Sequence, residues 1–329
     1  MSSTNLKASK GVPKKRAPRN RTVVVSSKEQ KQLKSKLLAL DQKTSVKKCP
    51  VGIAIGDCLQ WADRIPPGSV DLLILDPPYN LNKSFNGLKF KKKDNETYSA
   101  YLNEIIEAFV PALKPTATIY ICGDWVSSNS IFEVAKNHFV VRNRITWERE
   151  KGRGAKANWK NASEDIWFCT VSGEYVFNVD DVKSRRQVIA PYTNADGTPK
   201  DWSKSKSGNY RDTHPANLWS DITIPFWSMP ENTDHPTQKS EKLLARLILA
   251  SSNPGDMVLD PFLGSGTTCV VAKKLNRKAL GIELDLDFAL VAQKRLEQAQ
   301  PDADIQGYSD GVFWARNTLA QQKNTKPAS

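Results

Sequence analysis

At 329 residues, with 39% hydrophobic and 25% charged, the chain has the composition of a soluble globular protein. It is long enough to bury a sizeable core, as one large domain with an insertion or as two domains. No run approaches the roughly 18 apolar residues of a membrane span and no apolar signal region follows the start, so a cytoplasmic protein is expected. The cysteines (Cys49, Cys58, Cys122, Cys169, Cys269) are scattered without a Cys-x-x-Cys pair, and the histidines are three. Reduced core thiols are therefore expected, with neither disulfides nor a metal site.

The net charge of +13 is concentrated at the start, where residues 1–48 hold 14 Lys or Arg against Glu29 and Asp41 alone. Such an arm favours phosphate polyanions through counterion release, or is a solvated tail or localisation signal. From Met1 to about Ser27 it has no apolar period and reads as disordered. Leu33, Leu37, Leu38 and Leu40 predict a short helix over 27–40, capped by Ser27. The globular part begins near Val51 with a strand to Ile55, and Asp57 stands where the next helix needs an N-cap.

Val70 to Leu75 is β-branched and leucine-rich without polar alternation, the pattern of a strand buried on both faces. It runs into Asp76-Pro77-Pro78-Tyr79-Asn80. The prolines cannot donate to a sheet ladder, so the strand must stop, and each pushes the residue before it toward extended geometry. The result is a stiff loop at the carboxyl end of a strand, where open α/β sheets place their chemistry. A carboxylate, free carbonyls and a flat ring within four residues suit a planar amino group, with acceptors for its two hydrogens and a ring to stack on its base. The plain alternative is a proline turn with a packed tyrosine.

Residues 80–95 are polar and Lys-rich with Phe85 and Phe90 interleaved, and read as a mobile loop beside that site. A helix is predicted over 96–113, ended by Pro115, then a strand over 116–122, a helix over 130–138 and a strand over 140–147. Residues 151–156 form a flexible basic loop suited to phosphate. Residues 165–171 and 175–178 predict an antiparallel hairpin turning at Ser172-Gly173. From Val179 to Asp234 the pattern breaks. Arg185, Arg186, Lys200, Lys204, Lys206 and Arg211 alternate with Tyr192, Trp202, Tyr210, Trp219 and Trp227, as a nucleic-acid surface or as an irregular loop anchored by its tryptophans. His235-Pro236-Thr237-Gln238-Lys239 opens a helix running to Ser251, whose start offers N–H groups and a positive dipole end to an anion. A strand over 257–259 ends at Asp260. Phe262-Leu263-Gly264-Ser265-Gly266 then lets the backbone approach a ligand before a helix from Thr267. The strand over 278–282 ends at Glu283, placed to accept from ribose hydroxyls. A helix over 284–298 follows, and the tail from Gln321 is loose.

Asp76-Pro77-Pro78-Tyr79 resembles the catalytic motif of the amino-group DNA methyltransferases, and Phe262-Leu263-Gly264-Ser265-Gly266 is similar to their Phe-x-Gly-x-Gly cofactor motif. The catalytic motif comes first, as in the permuted β group of that family, and the likeness runs from about Val51 to Leu296. His235-Pro236-Thr237-Gln238-Lys239 matches a third family motif, with Ser240 in place of a final proline. The resemblance implies an α/β fold, a doubly wound and mostly parallel sheet with an antiparallel hairpin and a small recognition insertion. It implies catalytic roles for Asp76, Pro77, Pro78 and Tyr79. S-adenosyl-L-methionine would be held by Asp57 at the adenine, Glu283 at the ribose, and Thr237, Gln238, Lys239, Asp260, Phe262, Gly264, Ser265, Gly266 and Thr267 elsewhere. Asp57 is equally served by a cap role.

The expected division is a basic arm (1–48), a catalytic part (49–178), a target-recognition region (179–234), a cofactor part (235–320) and a tail (321–329). The implied reaction is sequence-specific methylation of adenine N6 in duplex DNA, with the first motif residue Asp rather than Ser selecting adenine over cytosine N4. A homodimer, a restriction endonuclease acting on the same site without a stable complex, and a place on the prokaryotic nucleoid go with that reading. Three alternatives stand beside it. A dehydrogenase leaves Asp76-Pro77-Pro78-Tyr79 unexplained and has Cys269 where a third small residue belongs. An RNA base methyltransferase would use the same site, and a silent DNA-binding protein would have no use for the intact acidic and aromatic groups.

Overall fold

Val70–Leu75 (β2) lies in the middle of an eight-stranded sheet. Its side chains alternate between two cores, with Leu72 and Ile74 on one face and Val70, Leu73 and Leu75 on the other. A strand buried on both faces needs no polar alternation, and its sequence has none. The computed structural model describes residues 19–40, 48–85, 88–149, 156–188, 192–205 and 208–315.

The other strands of the sheet are Gly52–Ile55 (β1), Leu113–Gly123 (β3), Val140–Glu148 (β4), Ser163–Thr170 (β5), Leu218–Trp219 (β6), Met257–Asp260 (β7) and Lys278–Glu283 (β8). Their order is β1-β8-β7-β2-β3-β5-β4-β6. Every pairing is parallel except those of β5, which runs against both β3 and β4. Helices Cys58–Ala62 (α2), Asn95–Phe109 (α3) and Ser128–His138 (α4) supply Trp61, Leu102, Ile105, Phe109 and Ile131 to one core. Helices Glu241–Ser251 (α5), Thr267–Lys274 (α6) and Leu286–Gln298 (α7) supply Leu243, Leu247, Ile248, Val271 and Ala292 to the other. The expected doubly wound fold with mostly parallel strands is present.

The closing hairpin is not where the local pattern put it. β5 pairs with β4, across residues 149–162, and residues 175–178 form no strand. A tight Ser172-Gly173 turn was the more local choice, but Tyr175 and Phe177 instead pack their rings around Phe168. The helix over 96–113 also ends early, at Phe109. Pro111 starts a 3-10 turn there, and Pro115 sits inside β3, where the register with β2 jumps between Val70–Leu113 and Leu72–Thr118. Such an irregularity is where a strand tolerates proline.

The loop over 80–95 contains an antiparallel hairpin, Lys83–Phe85 with Leu88–Phe90. Its base is closed by the buried Asn80, whose amide donates to the Lys93 carbonyl (2.8 Å) and accepts from the Lys93 N–H (2.7 Å). A second sheet joins Ser184–Gln187, Ser203–Ser205 and Gly208–Thr213 to Tyr308–Ser309 and Val312–Trp314. The second sheet therefore joins strands from the 179–234 segment to strands near the end of the expected cofactor part.

The basic arm is folded over 19–40. Ser27–Lys34 (α1) is capped by Ser26, one residue before the expected cap, with the Glu29 carboxylate accepting from the Ser26 N–H (2.8 Å). The Arg21 N–H donates to the Trp227 carbonyl and the Val23 N–H to the Asn232 carbonyl, both at 2.7 Å. Lys294 on α7 donates to the Val24 carbonyl (2.9 Å) and pairs with Glu29 (2.6 Å). Residues 1–18 and the tail from Gln321 lie outside the described residues. Deleting residues 1–26 removes both backbone bonds, each worth about 1 kcal/mol. The thermal midpoint is expected to fall by a few degrees in calorimetry, and an unchanged midpoint would show that this segment is not docked.

Candidate active site

The sheet brings three carboxyl-bearing strand ends to one edge: Asp76 after β2, Asp260 at the end of β7 and Glu283 at the end of β8. Beside Asp76 and Glu283 lies a cleft of about 270 Å³. Asp57, Phe262, Gly264 and Glu283 line one part of it, and Asp76, Pro77, Pro78, Tyr79, Thr237 and Lys239 the other. A smaller cavity of about 30 Å³ adjoins it, bounded by Gln238, Asp260, Ser265 and Thr267.

At the catalytic end, the Tyr79 hydroxyl lies 2.9 Å from Asp76 Oδ1 and 3.1 Å from Glu164 Oε2. Lys239 Nζ donates to Asp76 Oδ2 (2.6 Å) and Tyr79 Oη (3.1 Å), and lies 3.3 Å from Glu164 Oε2. Arg149 pairs with the other Glu164 oxygen. Burial opposes the charge of Lys239, but the Asp76 and Glu164 carboxylates outweigh it and raise the ammonium above its ordinary range. Burial, with both carboxylates adding to it, pushes the Tyr79 hydroxyl well up, so it stays a donor.

Around the glycine loop, Glu283 accepts from the Gly264 N–H (2.7 Å) and the Asp285 N–H (2.8 Å). Asp57 accepts from the Leu59 N–H (2.9 Å) and also lines the cleft, so the cap and ligand readings share one position. Asp260 accepts from Thr268 (2.5 Å) and the Phe262 N–H (3.0 Å), and burial pushes its carboxyl up to about 7. Gly264 has φ +57°, and a Cβ there would stand 3.0 Å from His235 Nε2. The His235 ring packs edge-on to Phe288, its Nδ1 is buried without a hydrogen-bond partner among the described residues, and burial lowers its pKa to about 4. A glycine cradle, two carboxylates, aromatic walls and a neutral imidazole with an unused polar atom fit a nucleoside-bearing cation.

Several expected cofactor residues turn inward instead. Gln238 accepts from Thr233 (2.9 and 2.7 Å) and donates to the Glu231 carbonyl (2.7 Å), which fixes the turn before α5. Arg295, buried beneath the glycine loop, donates to the Ser265 carbonyl (2.8 Å) and Thr267 Oγ1 (3.0 Å). The turn over 235–239 precedes α5 and does not open it. Ser240, in place of the family's proline, is the N-cap and accepts from the Leu243 N–H, while the Glu231 carboxylate takes the Glu241 N–H (2.6 Å). These groups occupy N–H donors that an incoming anion would have used. Sequence reasoning missed Glu164 and Arg149, which no motif flags, and gave His235 no role. The one available signal was two acidic residues, Glu164 and Asp165, opening an otherwise apolar strand.

The sequence pattern of the DNA methylase family matches residues 70–294. A DNA adenine methyltransferase of Escherichia coli, YhdJ, is 35% identical over 247 residues, 74% of this chain and 82% of that protein. The type II methyltransferase M.BglII of Bacillus subtilis is 33% identical over 259 residues, 75% and 69% of the two chains. The chain belongs to the DNA methylase family. Solved structures share the fold. The M1.HpyAVI–SAM complex superimposes with a TM-score of 0.52 at 24% identity, over 75% of this chain and 99% of that one. The cytosine-N4-specific PvuII DNA methyltransferase does so with 0.57 at 17%, over 79% and 94%.

Two outcomes follow from the loop. At Gly266 (φ +88°) a Cβ would come within 2.6 Å of the Ala292 Cβ and 2.8 Å of its Cα. Gly266→Ala is expected to destabilise by about 2–4 kcal/mol in denaturant unfolding, and a change under about 0.5 kcal/mol, the scale of an ordinary surface substitution, would contradict the close α6–α7 approach. Asp260 has a folded pKa above its unfolded value near 3.8, so the folded chain holds an extra proton between about 4 and 7. That contribution is complete below the unfolded pKa and is lost as pH rises through the folded one. Relative to Asp260→Asn, the wild type should therefore lose stability from pH 4 to pH 7, and parallel stability curves would contradict the shift.

Proposed function

We propose that this chain methylates the N6 amino group of adenine in duplex DNA, using S-adenosyl-L-methionine, as the modification enzyme of a restriction–modification system. The observation that carries the reading is that Asp76 and Tyr79 line one cleft together with Asp57 and Glu283. When bound, the cofactor supplies an electrophilic methyl group on its sulfonium. Glu283 and Asp57 would accept from its hydroxyl and amino groups, with Phe262 and Phe288 as walls.

An exocyclic amine is a poor nucleophile, because its lone pair is delocalised into the ring. The Asp76 carboxylate and the Pro77 carbonyl accept its two hydrogens and so localise that lone pair toward the methyl. No covalent enzyme nucleophile is needed. The base must leave the duplex to reach Asp76, and the Tyr79 ring supplies a surface for it to stack on. Its hydroxyl, tied to Asp76 and Glu164, fixes the plane of that ring.

Residues 179–234 read the target sequence in this account. Arg185 and Arg211 are not free for phosphate, being paired with Asp212 (2.7 Å) and Asp201 (2.7 Å), and Tyr210 and Trp219 are buried in the cores. The residues left to contact DNA are the exposed Arg186, Tyr192, Lys200, Lys204 and Trp227. Lys156, Lys160 and the 94% exposed Trp159 extend that face between β4 and β5, while residues 151–155 and Lys206 lie outside the described residues. A homodimer on nucleoid DNA, with a cognate endonuclease acting independently, completes the proposal.

The choice of adenine rests on Asp76 as the first motif residue and on similarity to YhdJ. The test is to incubate the protein with plasmid DNA and the cofactor, digest to nucleosides and separate them by mass. N6-methyladenine is expected. N4-methylcytosine alone would overturn the base, and preferential methylation of structured RNA would overturn the substrate.

A further inference from the structure

Glu164 stands outside every motif, yet it is 3% exposed and takes part in the same contacts as Asp76. Both carboxylates reach the same two donors. Tyr79 Oη is 2.9 Å from Asp76 Oδ1 and 3.1 Å from Glu164 Oε2. Lys239 Nζ is 2.6 Å from Asp76 Oδ2 and 3.3 Å from Glu164 Oε2. A phenol has one proton, so at any moment it serves one carboxylate and not the other. In the arrangement seen, each Asp76 oxygen already faces a donor, and the Lys239 ammonium is the closer and stronger of the two.

This poses a difficulty for the mechanism. An aspartate engaged by an ammonium is a weakened acceptor for the hydrogens of an amine, and buried charges released from one partner need another. Glu164 supplies that other partner. Its second oxygen is held by Arg149, so the carboxylate is anchored beside Lys239. With Asp76, Glu164, Lys239 and Arg149 together, the group is neutral whichever carboxylate the ammonium favours.

We infer that Glu164 is a positioning residue that takes over Lys239 and the Tyr79 hydroxyl when Asp76 turns to the target amine. The exchange moves hydrogen bonds only. Tyr79 rotates its O–H from Asp76 to Glu164, the ammonium shifts by less than an ångström to the same oxygen, and Asp76 is left with lone pairs for the amine. This inference rests on the methyltransferase reading, and wild-type methyl transfer to DNA tests that reading separately.

The test uses the full chain, plasmid DNA and saturating S-adenosyl-L-methionine. In Glu164→Gln, Asp76 is the sole carboxylate left to Lys239, so kcat should fall about a hundredfold, the scale of losing one well-placed electrostatic partner. Cofactor affinity should stay within about threefold, because Glu164 does not line the cofactor end of the cleft. Adding Lys239→Met to Glu164→Gln removes the ammonium that holds Asp76, and should recover at least tenfold of the lost kcat. A purely structural Glu164 would make the double variant slower than the single. Glu164→Asp, which keeps the charge but retracts it by a methylene, takes the place of Glu164→Gln if the latter does not fold. A single variant within threefold of wild-type kcat, or a double variant no faster than the single, would overturn the inference.

Discussion

The buried Lys239 ammonium between Asp76 and Glu164 is the contact on which the rest of the catalytic edge depends. A lysine that is 10% exposed at its side chain is costly unless paired, and here two carboxylates share it. Each member comes from a different part of the chain: Asp76 from the end of β2, Lys239 from the turn before α5, and Glu164 from the start of β5. The topology makes this meeting possible. Parallel strands put their carboxyl ends at the active edge, so only an antiparallel strand can bring its beginning there. β5 is that strand, and its Asp165 lies opposite Gly123 at the end of β3.

The cofactor end is organised in two layers. Glu283, Asp57, Phe262 and Gly264 face the cleft, while Gln238, Ser265, Thr267 and Arg295 hold the turns that place them. The Thr267 hydroxyl, donating to the Lys239 carbonyl (3.1 Å), ties the glycine loop to the turn that carries Lys239.

The parts of this arrangement that local chemistry dictates were legible in the chain. Val70–Leu75 announces a doubly buried strand, the two prolines announce its end, and Gly264 and Gly266 both have the positive φ that their place in a tight loop demands. What depends on distant partners was not. Glu164 reaches Tyr79 and Lys239 only because β5 crosses back beside β3, and nothing in its neighbourhood encodes that. The hairpin was misplaced because a nearby Ser172-Gly173 turn competed with a partner beyond residues 149–162. Arg185 and Arg211 looked like phosphate ligands because their partners, Asp212 and Asp201, lie on neighbouring strands or turns and neutralise them only after folding.

In the proposed mechanism Asp76 serves the target amine and not the cofactor. Asp76→Ala separates the two, since Lys239 keeps Glu164 as a partner at 3.3 Å and the cluster remains paired. The direct measurement is methyl transfer to DNA and cofactor affinity on the same preparation of that variant. Transfer is expected to fall by at least about a thousandfold, some 4 kcal/mol of transition-state stabilisation, with cofactor affinity within threefold of wild type. Transfer retained within tenfold, or cofactor binding lost together with transfer, would contradict it.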